Sequence, residues 1–276
     1  MIVNEQLSER RACELVSLSR SQFRYTRSQR ENGKLVKRII QIKDELRYYG
    51  VPRVHAMLRR EGFNVNRKRV YRLLKALDLL VGKRVRRTRL VSVPNCSLPQ
   101  AVQVGDVWSM DFVFDRFSDG TKFRCFTMVD ILSREVPGIF ISRSMANFSP
   151  VNFLEELKLK TNLPKHFILD NGTEFKNQVF LSWCEANEIS VHFIDPGKPV
   201  QNAYIESFNG KFRSEFLSQK SFGGISQIRA DVKKWVQHYN EERPHSSLDY
   251  MTPKEFANNE RNVLTPKINL PVLKTG

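Results

Sequence analysis

The chain has 276 residues and a formal charge of +16, from 45 Lys and Arg against 29 Asp and Glu. Residues 1–99 carry 24 basic and 8 acidic side chains while residues 100–276 carry 21 of each, so the whole excess sits in the first third. That distribution excludes a uniformly basic small protein and describes a basic arm on a neutral body, whose natural partner is a polyanion, nucleic acid first.

In chain order, Ser8 and Ser19 each stand where a helix N-cap is expected, giving two short helices around a tight turn, the first running through about Val16. Leu35, Ile39, Ile42 and Leu46 recur at helical spacing, and Gly50 is expected to end that helix. Val51, Val54, Met57 and Leu58 give a second helix that stops near Gly62. Asn66 caps a third, with Val70, Leu73, Leu74 and Leu77 on its apolar face and Arg67, Lys68, Arg69, Arg72 and Lys75 on the other. Three short helices with a basic last one are the layout of a DNA-reading helix-turn-helix, so Arg67, Lys68, Arg69 and Arg72 are its candidate DNA contacts. The segment GKRVRRTRLVSVPNCSLPQ follows, and its Lys83, Arg84, Arg86, Arg87 and Arg89 suit a linker that tracks a phosphate backbone.

After residue 100 the pattern changes to β. Strands are expected at 107–114, 123–132, 136–142, 165–170 and 189–195, with a turn at 118–121. Helices are expected from Ser149-Pro150 to about Lys160, near 177–187, over 203–217 and over 225–239. Three consecutive strands followed by alternating helix and strand indicate a mixed α/β sheet covered by helices. The tail from about Asn259 is polar and contains prolines, and is expected to be extended. No run of about 18 apolar residues would span a membrane. The N-terminus has no apolar stretch of signal-peptide length, and Cys13, Cys96, Cys125 and Cys184 form no metal-spaced pair, which suits a reducing cytoplasm.

Three acids stand where packing alone does not require them. Asp111 lies inside the first strand, Asp170 ends the fourth, and Glu206 sits on the helix after the PGKPVQN loop. A carboxylate beside apolar residues is costly unless something compensates. If the strands are neighbours, two carboxylates about 5 Å apart repel by roughly 3 kcal/mol at an effective dielectric of 20. A divalent cation turns that liability into a site, and an all-oxygen set without a His/Cys cluster suits magnesium or manganese. Two such ions about 4 Å apart support in-line phosphoryl transfer to water or a DNA 3′-hydroxyl. On the helix, Ile205, Phe208, Phe212 and Phe216 form an apolar stripe, while Asn202, Glu206, Asn209 and Arg213 form a polar face. The plain alternatives are a surface pair of Glu206 with Arg213 and a strand-ending turn at Asp170-Asn171-Gly172.

With these residues in place, the chain resembles the DDE transposases of copy-out, paste-in bacterial insertion sequences, specifically the protein of their second reading frame (OrfB type), with a core similar to retroviral integrases. The motifs are WSMDF around Asp111, FILDNGTEF around Asp170 and FIDPGKPVQNAYIESFNGKFRSEF around Glu206. Thirty-five residues separate Asp170 from Glu206, Arg213 follows the glutamate by seven positions, and YNEERPHSSLDYMTPKEF resembles the family's closing signature. The stretch YYGVPRVHAMLRREGFNVNRKRVYRLLKAL resembles its helix-turn-helix, so the likeness covers nearly all of residues 7–256.

The resemblance implies a ribonuclease-H-like fold in which the first and fourth strands are adjacent and Glu206 joins Asp111 and Asp170. It also implies Mg2+ or Mn2+ at two ions per site, and binding, cleavage and strand transfer of element ends into target DNA. A homo-oligomeric synapse and an upstream-frame helix-turn-helix partner belong to the same expectation. Lys211 and Arg213 are expected to contact DNA near the reacting phosphate. The five histidines have no cysteines at zinc-ligand spacing, and no zinc domain is expected.

The expected organisation is a short helical segment (1–30), a helix-turn-helix domain (31–81), a basic linker (82–100), an integrase-type core (101–258) and an extended tail (259–276), in a cytoplasmic, nucleoid-associated protein. The competing readings are a DNA-binding regulator with an inactive core, a nuclease that does not join, and a tyrosine recombinase using Tyr239 or Tyr250 with Arg243 and His245.

Overall fold

The computed structural model describes residues 8–24, 33–82, 98–143 and 150–264. Two compact units divide at Glu45 and Leu46. In the first, Ser8 accepts the Arg11 N–H to cap α1 (Glu9–Leu15), and Ser19 with Gln22 forms a capping box on α2 (Arg20–Phe23). The third helix, α3 (Gly33–Glu45), buries Leu35, Ile39 and Ile42 as the spacing requires.

The second unit opens on α4 (Val51–Arg60) and α5 (Arg67–Ala76). Gly50 does not end α3, which stops at Glu45; it is the N-cap of α4. Pro52 gives the reason, because a proline is tolerated in a first turn but interrupts a continuing helix. Asn66 accepts the Lys68 N–H at 2.8 Å to cap α5. Val70 and Leu74 are buried, while Arg67, Lys68, Arg72 and Lys75 are exposed and Arg69 is half-buried.

The sheet contains β1 (Val107–Arg116), β2 (Lys122–Asp130), β3 (Ile139–Ser142), β4 (His166–Leu169) and β5 (Ser190–Phe193), in the order β3-β2-β1-β4-β5. The first three strands form an antiparallel meander, and β4 and β5 join in parallel. The helices are α6 (Pro150–Lys158), α7 (Gln178–Ala186), α8 (Ala203–Glu215), α9 (Ile225–Glu241) and α10 (Pro253–Leu264). Helix α6 opens on Pro150; Ser149, its expected cap, lies outside the described residues.

Side chains alternate across the sheet, so each face gathers its own core. On one face Val113, Cys125, Val129 and Ile141 meet Ile205, Phe208 and Phe212 of α8 and Ile228, Val232, Trp235 and Tyr239 of α9. On the other, Trp108, Met110, Phe126, Met128, Phe167 and Leu169 meet Leu154 and Leu157 of α6 and Phe180 and Cys184 of α7. Helix α4 is fastened beside this body. Arg53 pairs with Glu215 at 2.9 Å, Tyr49 Oη lies 3.1 Å from His238 Nε2, and Arg60 donates to the Tyr250 carbonyl at 2.8 Å and to Glu255 at 2.6 Å.

Residues 259–264, expected to begin an extended tail, are instead helical as the end of α10. The helix is nucleated by a reciprocal cap that the polar composition hides. Thr252 Oγ1 accepts the Glu255 N–H at 3.1 Å, Glu255 accepts the Thr252 N–H at 2.7 Å, and Pro253 fills the first helical position. Among the described residues no helix is long and apolar enough to cross a membrane.

Candidate active site

The three acids converge. Strand β1 runs parallel to β4 in the register Ser109 opposite Ile168, so continuing the ladder by two residues brings Asp111 level with Asp170. Both then stand where β1 passes the end of β4. Alternation turns Ser109 and Asp111 towards the face that α8 covers. Asp111, Asp170 and Glu206 line one cavity of about 280 Å3 together with Ile194, Gly197, Lys198 and Asn202.

Helix α8 is held there by a polar seam. Ser109 Oγ donates to Asn202 Oδ1, and Thr127 Oγ1 on β2 donates to Asn209 Oδ1 at 2.9 Å. Asn209 Nδ2 in turn donates to Asp111 Oδ2 at 2.8 Å. Asn202 and Asn209 are buried and bracket Glu206 at i−4 and i+3, so the bonds that seat the helix also aim the glutamate. On the face read as polar, Asn202 and Asn209 are therefore buried against the sheet while Glu206 and Arg213 stay exposed, and the two asparagines are positioning residues that the sequence pattern did not single out. Their signal was the heptad spacing 202–209 around an acid.

Asp111 is held at both oxygens, since the Phe112 N–H donates to Oδ1 at 2.7 Å. Burial, reinforced by the Asp170 and Glu206 carboxylates, pushes its pKa up to about 6 against the lowering effect of those two hydrogen bonds. Burial also raises Glu206, which makes no hydrogen bond or ion pair among the described residues. Asp170 Oδ1 accepts the Gly172 N–H at 3.1 Å. A Cβ on Gly172 would meet that Oδ1 at 3.0 Å and Glu174 Oε2 at 3.1 Å, so glycine suits this turn. Among the described residues no three His, Cys, Asp or Glu side chains already form a metal-ligating cluster. The donors present are nevertheless all hard oxygens that repel one another, the chemistry that a divalent cation relieves.

The basic candidates separate. Arg213 is exposed, lies outside the cavity lining, and donates to the Phe114 carbonyl at 3.2 Å. Lys211, expected beside the reacting phosphate, lines a different cavity and none of the three acids is in that lining. Five residues along a helix is a turn of about 140° from Glu206 at 3.6 residues per turn, which is why the two diverge. Lys83, Arg84, Arg86, Arg87 and Arg89 lie outside the described residues. The recombinase reading loses one of its two tyrosines and its clamp: Tyr239 is buried under α8, and Arg243 is committed to Glu215.

Models of the integrase core domain match residues 101–199 and 187–253, and a model of an HTH-like domain matches residues 29–88. The putative transposase InsK for insertion sequence element IS150 of Escherichia coli is 28% identical over 233 residues, spanning 80% of this chain and 82% of that one. An uncharacterized 31.7 kDa protein of insertion element IS407 from Burkholderia multivorans is 40% identical over 257 residues, 92% of each chain. The chain belongs to the integrase-core transposases of bacterial insertion sequences. The fold of this transposase is ribonuclease-H-like. It aligns with a TM-score of 0.50 and 13% identity, over 87% of this chain and 80% of the other, to a chain of the simian T-cell lymphotropic virus intasome in complex with PP2A regulatory subunit B56 gamma, a likeness of fold alone.

Proposed function

We propose that Asp111, Asp170 and Glu206 are the catalytic carboxylates of this transposase and the ligands of its divalent ions, magnesium or manganese, two per site. The observation that carries this reading is their convergence on one cavity from two strands and a helix. When bound, such ions would activate the attacking oxygen and stabilise the leaving one in an in-line displacement at phosphorus. The chain's own part is positional. Phe112 N–H and Asn209 fix the Asp111 carboxylate, Gly172 N–H fixes Asp170, and the bracket of Asn202 and Asn209 aims Glu206. Burial raises Asp111 and Glu206 and so opposes their ionisation, and a bound cation would favour their ionised forms.

In the same reading, the exposed Arg67, Lys68 and Arg72 of α5, with Arg69 beside them, dock on element ends, and the basic residues 83–89 add phosphate contacts. Arg213, two turns below Glu206, faces DNA close to the site. Ends and target are brought together in a homo-oligomeric synapse, with the upstream-frame helix-turn-helix protein as a further partner, in the cytoplasm at the nucleoid.

The test is a strand-transfer assay with candidate element ends, with and without magnesium. Asp170→Asn is expected to abolish joining while leaving end binding largely intact. Joining at the wild-type rate would remove Asp170 from catalysis. A regulator with an inactive core would bind ends and join nothing in either buffer.

A further inference from the structure

Helix α8 faces a second cavity. Ala203, Tyr204, Ser207, Phe208 and Lys211 line a space of about 560 Å3 that shares no residue with the carboxylate site. Its other walls come from Arg53 on α4, Arg134 in the turn after β2, and Arg243 and His245 after α9. No acid lines it. Glu215 stands behind the wall and is already engaged, accepting from Arg243 Nε and Nη2 at 2.8 and 2.7 Å and forming an ion pair with Arg53 Nη1 at 2.9 Å.

Of the four cations, two thus share one carboxylate. Lys211 has no carboxylate partner among the described residues. Arg134 donates to the Ile131 carbonyl and stacks 4.1 Å from the Tyr204 ring, again with no acid. His245 is 2% exposed, and its Nε2 is buried without a hydrogen-bond partner among the described residues. A buried polar atom left unpaired is expensive and calls for a missing partner. Burial and the surrounding cations push Lys211 down to about 8, and burial with Arg243, Lys211, Arg53 and Arg134 holds His245 far below its ordinary range. The lining is one-sidedly cationic, which suits an anion.

Its shape indicates which anion. A planar carboxylate is answered by one guanidinium fork, as Glu215 is by Arg243. Here donors approach from α8, from α4, from a turn and from the segment after α9, with the hydroxyl-bearing Tyr204 and Ser207 between them. That is the demand of a tetrahedral group. We propose that this cavity binds a phosphate group among Lys211, Arg134 and Arg53, at a site separate from the carboxylates. The assignment of its source to a DNA backbone rests on the transposase reading; the phosphate site itself does not.

The experiment uses the intact wild-type chain. Lysines are acetylated at about pH 8, near the lowered pKa of Lys211, and scored by peptide mass spectrometry. Parallel samples contain chloride, inorganic phosphate, a short DNA duplex of arbitrary sequence, or polyglutamate, at matched ionic strength. Inorganic phosphate at roughly ten times its dissociation constant is expected to slow Lys211 acetylation roughly tenfold by mass action. Exposed Lys165 is expected to be unaffected by phosphate. Protection by both phosphate and duplex supports a DNA phosphate. Protection by inorganic phosphate alone supports the site with a free phosphate as its source. Protection by neither overturns the proposal, as does protection by polyglutamate alone or a Lys211 already closed to the reagent in chloride. Arg134→Gln, with an unchanged circular dichroism spectrum, is expected to lose the phosphate protection; retained protection also overturns the proposal. The readout does not depend on catalysis, so Asp170→Asn keeps the footprint, and the two readings fail separately.

Discussion

Replacing Asp111 with Asn is expected to stabilise the transposase while silencing it. Burial and the two neighbouring carboxylates raise the Asp111 pKa from 3.8 to about 6. Each unit is worth about 1.4 kcal/mol, so the ionised side chain costs the fold up to roughly 3 kcal/mol at neutral pH. The amide keeps the Phe112 N–H bond to its oxygen but sets an NH2 against Asn209 Nδ2, losing a hydrogen bond of about 1 kcal/mol. With screening of a partly exposed group, a net gain of about 1–2 kcal/mol remains, or roughly 2–8 °C in melting temperature for a domain of this size. The assay is thermal unfolding in EDTA and in magnesium. In EDTA at pH 7.5 the variant should melt higher. The gap should close as pH falls from about 6 towards 4, because the folded wild type takes up its proton in that window while the unfolded chain does not. Magnesium should raise the wild-type midpoint and leave the variant nearly unmoved, by mass action on a site that has lost a ligand. A variant that melts lower in EDTA, or that gains as much from magnesium as the wild type, refutes the reasoning.

Other outcomes follow from charges elsewhere in the structure. Glu215→Ala leaves Arg243, 2% exposed, without its bidentate partner, and should cost about 3–5 kcal/mol in urea unfolding, part of it recovered by adding Arg243→Met. An unfolded chain protonates His245 near 6.5 and the folded chain does not. Stability is therefore complete above that pH and falls below it by up to about 1.4 kcal/mol per unit from this residue, a slope that His245→Gln should flatten between pH 5 and 6.5. Binding to element ends should weaken steeply with salt, and Arg67→Ala with Lys68→Ala should each lower the log–log slope by roughly one. An unchanged slope would take α5 off the phosphate backbone.

Much of the fold was legible because local signals agreed with tertiary ones. Ser8, Ser19 and Asn66 cap the helices they precede, and alternating strands sort their residues onto two cores. What escaped was non-local. Asn202 and Asn209 read only as part of a polar face because their partners, Ser109 and Thr127, stand 93 and 82 residues away. Lys211 sits near Glu206 in sequence, but helical geometry sends it to another cavity. Helix α10 was hidden by its polar composition, because what holds it is non-local: buried Ala257 and the Arg261–Glu135 pair at 3.5 Å.

The bonds from α4 to the core have a metrical consequence. Helix α5 packs on α4, and Arg53, Arg60 and Tyr49 tie α4 to the body that holds the three acids. A duplex slipping by one base pair beneath α5 would carry its backbone about 3.4 Å past those acids, far enough to present the wrong linkage. If α5 docks on the element end and the three acids cut it, as proposed above, the fastening is a ruler that sets the distance from the docked helix to the cut.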